Sequence, residues 1–200
     1  MSLSKVAVIG MGYVGLTLSA VLAKRNFEVV GIEKNLDVVH HLQKGEPHFH
    51  EQNLASLLQA QINNDNLIIK PSFSKEDKFD ILIICVGTPY DKDSDRVNMD
   101  FIISAAKELS PHIKKDSLVL LRSTVPLGTT RKYIIPILEA GSSLAVGKDF
   151  SVAFTPERTI EGKAIVELES NPQIVGGYDS KSTRKATDFF SHLTNTIVKK

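Results

Sequence analysis

The sequence predicts an α/β fold with a doubly wound, mainly parallel sheet that carries helices on both faces. Short apolar runs rich in Val and Ile alternate along the chain with segments in which apolar residues recur at helical spacing. The runs are continuously apolar rather than alternating, which is typical of strands covered on both faces. The 200 residues, 42% hydrophobic and 24% charged, suit one globular domain spanning 1–200.

The predicted elements alternate in order along the chain. Strands are predicted where β-branched and aliphatic residues cluster, at 5–10, 27–32, 67–69, 80–86, 117–121, 151–154, 173–175 and 195–198. Helices are predicted from apolar stripes and flanking Gly or Pro, at 14–22, 35–44, 54–62, 99–106, 128–139 and 182–192. We expect Pro136 to kink the helix at 128–139, and residues 90–96 to form a polar loop. Ligands of such sheets bind beyond the carboxyl ends of the strands, so the segments that follow strands are candidate site segments.

Composition and charge narrow the function classes. The chain has 24 Lys and Arg against 23 Asp and Glu, and a net charge of +1 gives no basic footprint for nucleic acid. No apolar run reaches the roughly 18 residues that span a bilayer, and the first residues do not resemble a secretory signal, so we expect a cytoplasmic protein without a membrane partner. Cys85 is the single cysteine, which excludes an internal disulfide. His48 and His50 lack the further ligands of a metal site, and we predict none.

A glycine-rich segment follows the first predicted strand and opens the first helix. Gly10, Gly12 and Gly15 form the pattern G-x-G-x-x-G. In a dinucleotide-binding loop the first glycine allows a tight turn, the second lets the backbone approach a pyrophosphate, and the third lets helix and strand pack closely. The N–H groups at the helix start then face the phosphates. The alternatives are a tight turn without a nucleotide and the related glycine loops of methyltransferases.

An acidic residue ends the second predicted strand. Glu33 lies 33 − 12 = 21 residues beyond Gly12, where a carboxylate accepts hydrogen bonds from the adenine-ribose hydroxyls. Such a carboxylate would repel the 2′-phosphate of NADP, so the sequence predicts NAD as the cofactor. The adjacent cation, Lys34, weakens that preference. The alternative is a solvated surface glutamate.

Three later loops carry candidate polar groups. Gly87 would permit close approach of a ligand and Thr88 can exchange hydrogen bonds with it, while Thr124 lies in a hydroxyl-rich segment after the next strand. Ordinary strand-ending turns and helix caps are the alternatives. In the third loop Glu157 and Glu161 are four residues apart, and they would share a face if the segment is helical. A carboxylate there can act as an acid or base or order a water.

These strings together resemble the N-terminal NAD-binding domain of the UDP-glucose/GDP-mannose dehydrogenase family, in a Rossmann-like fold. The resemblance covers nearly the whole chain and depends on ordered blocks at 10–15, 45–51, 86–89, 123–129, 156–162 and 172–177. The family oxidises the C6 alcohol of a nucleotide sugar to a carboxylate in two NAD-dependent steps. By resemblance the residues that contact NAD are Tyr13, Val14, Glu33, Thr88 and Thr124. Glu161 would lie near the nicotinamide, and Glu157 would serve the hydrolytic half-reaction with Thr124 positioning the water.

The resemblance also implies a substrate class. The segment from Pro156 to Ala164 is similar to members that act on UDP-N-acetylhexosamines, UDP-N-acetylmannosamine in particular, in polysaccharide biosynthesis. Arg158 and Thr159 would then contact the UDP-sugar substrate. One departure is Val38, which stands where members commonly have a basic residue that contacts the cofactor, and Lys34 would have to replace it. UDP-glucose oxidation, a hydroxyacid or hydroxyacyl dehydrogenase, and an NAD-sensing module without catalysis remain alternatives.

The family's cysteine nucleophile and catalytic lysine lie downstream of this domain. Cys85 is not that nucleophile, because it falls inside a predicted buried strand. We therefore expect the chain to bind NAD without completing the oxidation. The resemblance implies a homodimer for the full-length enzyme, formed through a long helix after this domain, and leaves a monomer open for this chain alone.

Overall fold

A computed structural model describes residues 4–93, 95–194 and 196–199. Its main sheet has eight strands in the order β10-β9-β8-β7-β4-β1-β2-β3, and β5 and β6 pair separately. The strands are β1 (Lys5–Ile9), β2 (Glu28–Ile32), β3 (Leu67–Lys70), β4 (Phe79–Ile84), β5 (Tyr90–Asp91), β6 (Arg96–Val97), β7 (Ile113–Leu121), β8 (Ser151–Phe154), β9 (Gln173–Gly177) and β10 (Ile197–Lys199). The helices are α1 (Tyr13–Lys24), α2 (Leu36–Gln43), α3 (Leu54–Asn63), α4 (Asp100–Leu109), α5 (Ile135–Ser142), α6 (Ala164–Ser170) and α7 (Ser180–Phe190).

The sheet is parallel except where β9 pairs antiparallel with β8. The predicted fold class is therefore confirmed. From β1 the chain moves through β2 to β3 on one side and through β4, β7 and β8 on the other. The order thus reverses between β1 and β4, and the crevice at their carboxyl ends is where such folds bind ligands.

Buried apolar residues cover both faces of the sheet. Val6 and Val8 of β1 belong to one cluster, with Leu16 of α1, while Ala7 and Ile9 belong to the other. The alternation follows the pleat, which sends successive side chains to opposite faces. Each fully buried aliphatic side chain stabilises the fold by about 1.5–3 kcal/mol. Because both faces of the sheet are covered, the strand sequences are continuously apolar.

Several local predictions differ from the structure. The segment predicted as a kinked helix at 128–139 forms a π-helical turn at 130–134 followed by α5, with Pro136 in the first turn of α5. Proline costs little there, because the first N–H groups of a helix have no intrahelical partner. The polar loop at 90–96 contains the small β5–β6 hairpin, and α6 was not predicted. The strand predicted from 195 begins at 197, and Asn195 lies outside the described residues.

Two further features were sought among the described residues, a membrane-spanning helix and a group of metal-ligating side chains. Among residues 4–93, 95–194 and 196–199, no helix is both long and apolar enough to cross a membrane. Over the same ranges, no three His, Cys, Asp or Glu side chains are grouped as a metal ion would need.

Candidate functional site

The glycine loop between β1 and α1 has the geometry that its pattern predicts. Gly10 has a φ of +90°, and a Cβ there would lie 3.1 Å from the backbone of Cys85 and Val86. A Cβ on Gly15 would lie 1.8 Å from the carbonyl oxygen of Gly10, so the close packing of helix and strand requires glycine. A Cβ on Gly12 would meet no atom within 4 Å. Gly12 therefore faces open space, where a bound group can approach the backbone.

Glu33 lies directly after β2 and faces this loop. Its Oε2 accepts the Met11 N–H at 3.0 Å, and its Oε1 accepts the Asn35 N–H at 3.0 Å. The two donors hold the carboxylate in one orientation beside the glycine loop. This is the position at which an acidic side chain can accept hydrogen bonds from ribose hydroxyls.

The first cavity is a crevice of about 360 Å³ at the carboxyl ends of β1, β2 and β4. Gly10, Gly12, Glu33, Lys34 and Gly87 line it, and the remaining lining residues are Ile9, Ile32, Cys85, Val86, Phe101, Ser104, Ala105 and Glu108. Apolar walls with a few polar groups at the rim are typical of a pocket for a planar base and a sugar. The first cavity thus gathers the predicted cofactor residues of the β1 and β2 ends.

The second cavity, of about 290 Å³, lies beyond the glycine loop. Its lining consists of Gly12, Tyr13, Val14, Cys85, Val86, Gly87, Thr88, Arg122, Ser123, Thr124 and Glu157. Gly12 and Gly87 line both cavities, so the two adjoin across the glycine loop. An extended two-headed ligand would occupy both, with its middle at the backbone of Gly12 and the start of α1, where helix N–H groups attract phosphate.

Hydrogen bonds tie the two loops of the second cavity together. The Thr88 hydroxyl donates to the Thr124 carbonyl at 2.6 Å, and the Ser123 hydroxyl donates to the Val86 carbonyl at 2.7 Å. The loops after β4 and β7 therefore keep a fixed relative position. Thr124 itself is exposed at the cavity surface.

A buried ion pair forms the floor of the second cavity. Arg122 follows β7, and its Nη2 pairs with Oε2 of Glu157. The two side chains are 0% and 9% exposed. Nη1 of Arg122 donates to Gln173 at 3.2 Å, and the guanidinium lies 5.2 Å from the ring centroid of Phe190. The pair joins β7, β9 and α7 to the loop after β8.

The other oxygen of the Glu157 carboxylate is also engaged. Oε1 accepts the N–H of Arg158 at 2.7 Å and that of Thr159 at 3.0 Å. Burial alone would raise the pKa of Glu157, but the Arg122 guanidinium and these N–H donors hold the pKa below its ordinary value. Glu157 is therefore a fixed, ionised acceptor at neutral pH.

Tyr13 and Glu51 join the glycine loop to the segment after β8. The Tyr13 hydroxyl donates to Oε2 of Glu51 at 2.5 Å, and the Gly162 N–H donates to the same oxygen at 2.7 Å. Glu51 is 5% exposed. Burial and the Glu51 carboxylate raise the pKa of Tyr13 to about 12. This bridge closes one side of the second cavity and fixes the loop that carries Glu157.

Cys85 lies between the two cavities at the end of β4. Its side chain is buried, and burial raises the pKa of the thiol to about 12. A thiol that stays protonated at neutral pH is a poor nucleophile.

Not every predicted site residue lies at the cavities. Ten of the fourteen predicted site residues line one or both cavities, but Gly15, Arg158, Thr159 and Glu161 line neither. Gly15 lies behind the loop, as its packing role requires. Residues 155–160 are irregular and not helical, so Glu157 and Glu161 do not share a helix face. Arg158 and Glu161 are exposed on that loop.

The sequence patterns did not identify three charged residues that line or support the cavities. Arg122 is a cation directly after a strongly apolar strand, and that unusual position was its one signal. Glu51 ends one of the blocks that carry the family resemblance, but no chemistry was assigned to it. Glu108 lies on α4 and reaches the first cavity through the fold. Nothing in its local sequence distinguishes Glu108 from a solvated helix residue.

The residues present fit a dinucleotide. The Gly12 backbone faces open space, the first cavity offers apolar walls with a fixed carboxylate at Glu33, and the second cavity adjoins it across Gly12. Gly10, Gly12, Tyr13, Val14 and Gly15 would hold the middle of such a ligand. Glu33 would hold one end, and Thr88 and Thr124 would hold the other.

Comparison with known proteins identifies the relatives of this chain. The family model described as "UDP-glucose/GDP-mannose dehydrogenase family, NAD binding domain" matches residues 4–194 of this chain. A UDP-N-acetyl-D-mannosamine dehydrogenase of Methanococcus maripaludis (strain C7) is 35% identical over 191 residues, which cover 94% of this chain and 42% of the relative. The resemblance inferred from the sequence blocks is therefore confirmed.

Two solved structures share the fold over nearly the whole chain. The UDP-D-ManNAc dehydrogenase from Pyrococcus horikoshii has a TM-score of 0.92 at 28% identity, covering 98% of this chain and 46% of that one. The GDP-mannose dehydrogenase from Pseudomonas aeruginosa has a TM-score of 0.89 at 27% identity, with the same two coverages of 98% and 46%. The chain thus spans less than half the length of these relatives.

Proposed function

The chain belongs to the UDP-glucose/GDP-mannose dehydrogenase family, of which it is the NAD-binding domain, and we propose that it serves the oxidation of a UDP-N-acetylhexosamine. The proposed reaction converts the C6 alcohol to the uronic acid in two hydride transfers, with UDP-N-acetylmannosamine as the substrate. The names of the similar proteins support this substrate, as does the segment from Pro156 to Ala164. We further propose that the full-length enzyme is a cytoplasmic homodimer that acts in polysaccharide biosynthesis.

The observation that carries the proposal is the pair of adjoining cavities on either side of Gly12. The first cavity suits the adenosine half of NAD, because two N–H donors hold the Glu33 carboxylate there, one of them from Met11 in the glycine loop. The second cavity suits the nicotinamide half, because Thr124 and Glu157 line it. When bound, NAD supplies the hydride acceptor.

The chain's own residues would then arrange the substrate and the water. Thr124, exposed on a loop that Thr88 holds in place, can hydrogen-bond a water at the cavity surface. Glu157 can accept a hydrogen bond from that water while Arg122 keeps it ionised. Arg158 and Thr159, on the adjoining loop, are proposed to contact the sugar nucleotide. Glu161, exposed beside them, is proposed to approach the nicotinamide.

The thiol that the family's chemistry requires is proposed to lie outside this chain. Trapping an aldehyde needs a thiolate nucleophile, and Cys85 is buried with its pKa raised to about 12. We therefore expect residues 1–200 to bind NAD and to leave the oxidation incomplete.

Titration calorimetry of NAD tests the cofactor site. Gly12→Ala places a methyl group in the space that the pyrophosphate would use, while the substitution meets no protein atom within 4 Å. We expect a loss of at least about tenfold in NAD affinity from this steric block, with a loss of stability of no more than about 1 kcal/mol, because alanine is a poorer N-cap of α1 than Gly12. Gly176→Ala is the matched control, since its Cβ would make an ordinary 3.7 Å contact and it lines neither cavity. Equal NAD affinity in the two variants would remove the glycine loop from the site.

The ribose assignment has its own variant. Glu33→Ala should weaken NAD binding by about 1–3 kcal/mol, because a charge-assisted hydrogen bond is lost. An unchanged affinity would contradict the placement of the ribose at Glu33.

Turnover tests the substrate and the missing thiol. The chain alone should produce no NADH from UDP-N-acetylmannosamine, and sustained turnover would contradict the argument from Cys85.

In the intact protein, a panel of UDP-N-acetylmannosamine and UDP-glucose would distinguish the proposed substrate from the alternative. There, Glu157→Gln should impair acid formation more than nucleotide binding, and an unchanged rate would remove Glu157 from the reaction.

A further inference from the structure

Lys34 is the one cation in the lining of the first cavity, within the described part of the chain. It directly follows Glu33, the residue proposed to bind the ribose. A cation at this place in a dinucleotide fold is the group that would bind the 2′-phosphate of NADP. Its availability therefore affects the choice between NAD and NADP.

Lys34 is engaged by the neighbouring helix. Its Nζ lies 3.0 Å from Oε2 of Glu108 and donates to the Ser104 hydroxyl at 3.1 Å. Ser104 and Glu108 are four residues apart on α4, so they share one face of that helix. The lysine side chain thus extends from the end of β2 to α4 at the edge of the first cavity.

The charges of the lining disfavour an additional anion. Glu33 and Glu108 against Lys34 give a formal charge of −2 + 1 = −1 among the lining residues of the first cavity. A phosphate monoester adds about −1.5 to −2 at neutral pH. Each carboxylate repels such a group, and Glu108 in addition pairs with the Lys34 ammonium that would attract it.

We propose that Glu108 is a specificity-determining residue, which engages Lys34 and thereby withholds from a 2′-phosphate the cation that would bind it. Glu33 and Glu108 together then make the first cavity select NAD over NADP. This inference rests on the proposed function, in which the adenosine half of the cofactor occupies the first cavity.

Stability measurements would not detect this role. The Lys34 side chain is 63% exposed and that of Glu108 is 20% exposed, and ion pairs near the surface contribute little to folding. The ratio of the dissociation constants for NADP and NAD is the quantity that the role predicts to change. A structural ion pair alone would leave that ratio unaltered.

Titration calorimetry with NAD and NADP tests the inference on the wild type, Glu108→Gln, Glu33→Ala and the double variant. We expect Glu108→Gln to lower the NADP/NAD ratio of dissociation constants by about tenfold at low salt, because one nearby negative charge is removed. The double variant should lower it by more than the product of the single changes. Adding Lys34→Met to the double variant should cancel this gain in relative NADP affinity, and high salt should reduce the gain.

Glu169→Gln is the matched control. Glu169 pairs with Lys24 at 3.2 Å and Arg25 at 3.1 Å, and it lines neither cavity, so the same loss of charge should leave the ratio unchanged. Glu108→Ala provides a second variant, and circular dichroism checks that each variant is folded. A ratio equal to that of the wild type in both glutamate-108 variants, or a gain that survives Lys34→Met, would overturn the inference. Failure of the wild type to bind NAD would instead overturn the proposed function.

Discussion

Arg122→Met removes the cation that neutralises Glu157 and retains an apolar stem in the same space. Both partners are withdrawn from water, with side chains 0% and 9% exposed. Removing one partner of a buried ion pair costs about 3–5 kcal/mol, because the other charge stays buried. Glu157 keeps two backbone N–H donors, so we expect about 3–4 kcal/mol, the lower part of that range. Such a loss is a large share of the roughly 5–15 kcal/mol that stabilises a folded protein.

Urea denaturation followed by circular dichroism measures this loss at neutral pH. Four proteins form the cycle: the wild type, Arg122→Met, Glu157→Gln and the double variant. Because the double variant leaves no unpaired buried charge, it should cost less than the sum of the single variants, by about 1–3 kcal/mol. Arg131→Met is the control, since Arg131 is exposed. Its contact with the Tyr178 ring at 4.7 Å is of the kind that contributes about 0.5–1 kcal/mol, and its hydrogen bond to the Tyr178 carbonyl at 3.0 Å contributes about 0.5–1.5 kcal/mol.

The pH dependence follows from the lowered pKa of Glu157. In the wild type, the stability contributed by this group is present above the unfolded-state pKa and is lost as pH falls through the folded-state pKa. Without Arg122, burial is no longer opposed by a cation, and we expect the pKa of Glu157 to rise. The deficit of Arg122→Met relative to the wild type should then narrow as pH falls from about 7 to about 5, because the buried carboxyl can become neutral.

Three results would refute this reasoning. The first is a cost of Arg122→Met no larger than that of Arg131→Met. The second is strict additivity of the two single variants in the cycle. The third is a deficit that stays constant with pH, which would mean that Arg122 does not control the ionisation of Glu157.

The remaining predictions concern single groups around the cavities. Tyr13→Phe leaves the buried Glu51 carboxylate without the phenol donor, so we expect a loss of about 1–3 kcal/mol in urea denaturation, and a wild-type midpoint would contradict the bridge. Because the pKa of Cys85 is raised to about 12, iodoacetamide should label the chain in urea but not the native protein at about pH 8, as mass spectrometry can measure; equal rates would show the thiol to be accessible. Gly15→Ala would place a Cβ 1.8 Å from a backbone oxygen, so its melting temperature should fall well below that of Gly12→Ala, and equal melting temperatures would contradict the packing role.

Most strands could be predicted because their burial leaves a direct mark on the sequence. Residues 81–84 are all apolar, and they lie in β4 at the centre of the sheet. The sequence does not indicate the direction of β9, since an antiparallel strand and a parallel one can have the same short apolar run. Helix α6 was missed for a related reason. It has seven residues, and its buried positions, Ala164, Ile165 and Leu168, span too little sequence to establish a period.

The cofactor half of the site was more predictable than the other half. Gly10, Gly12, Gly15 and Glu33 act through backbone geometry and a fixed spacing, which a single stretch of sequence contains. The pairing of Arg122 with Glu157 joins residues 35 positions apart. That of Tyr13 with Glu51 joins residues 38 positions apart. Such pairs depend on which loops the sheet order brings together, and no local pattern specifies that order.

The Arg122 pair limits the part that Glu157 can play in a hydrolytic step. A carboxylate with a lowered pKa accepts a hydrogen bond from water well but takes its proton less readily, because basicity falls with pKa. Both of its oxygens already accept hydrogen bonds, from the guanidinium and from two backbone N–H groups. Glu157 is therefore better suited to orient a water beside Thr124 than to deprotonate it. In the proposed reaction the base for that step would then be a group of higher pKa, and we expect the pH dependence of acid formation to belong to that group rather than to Glu157.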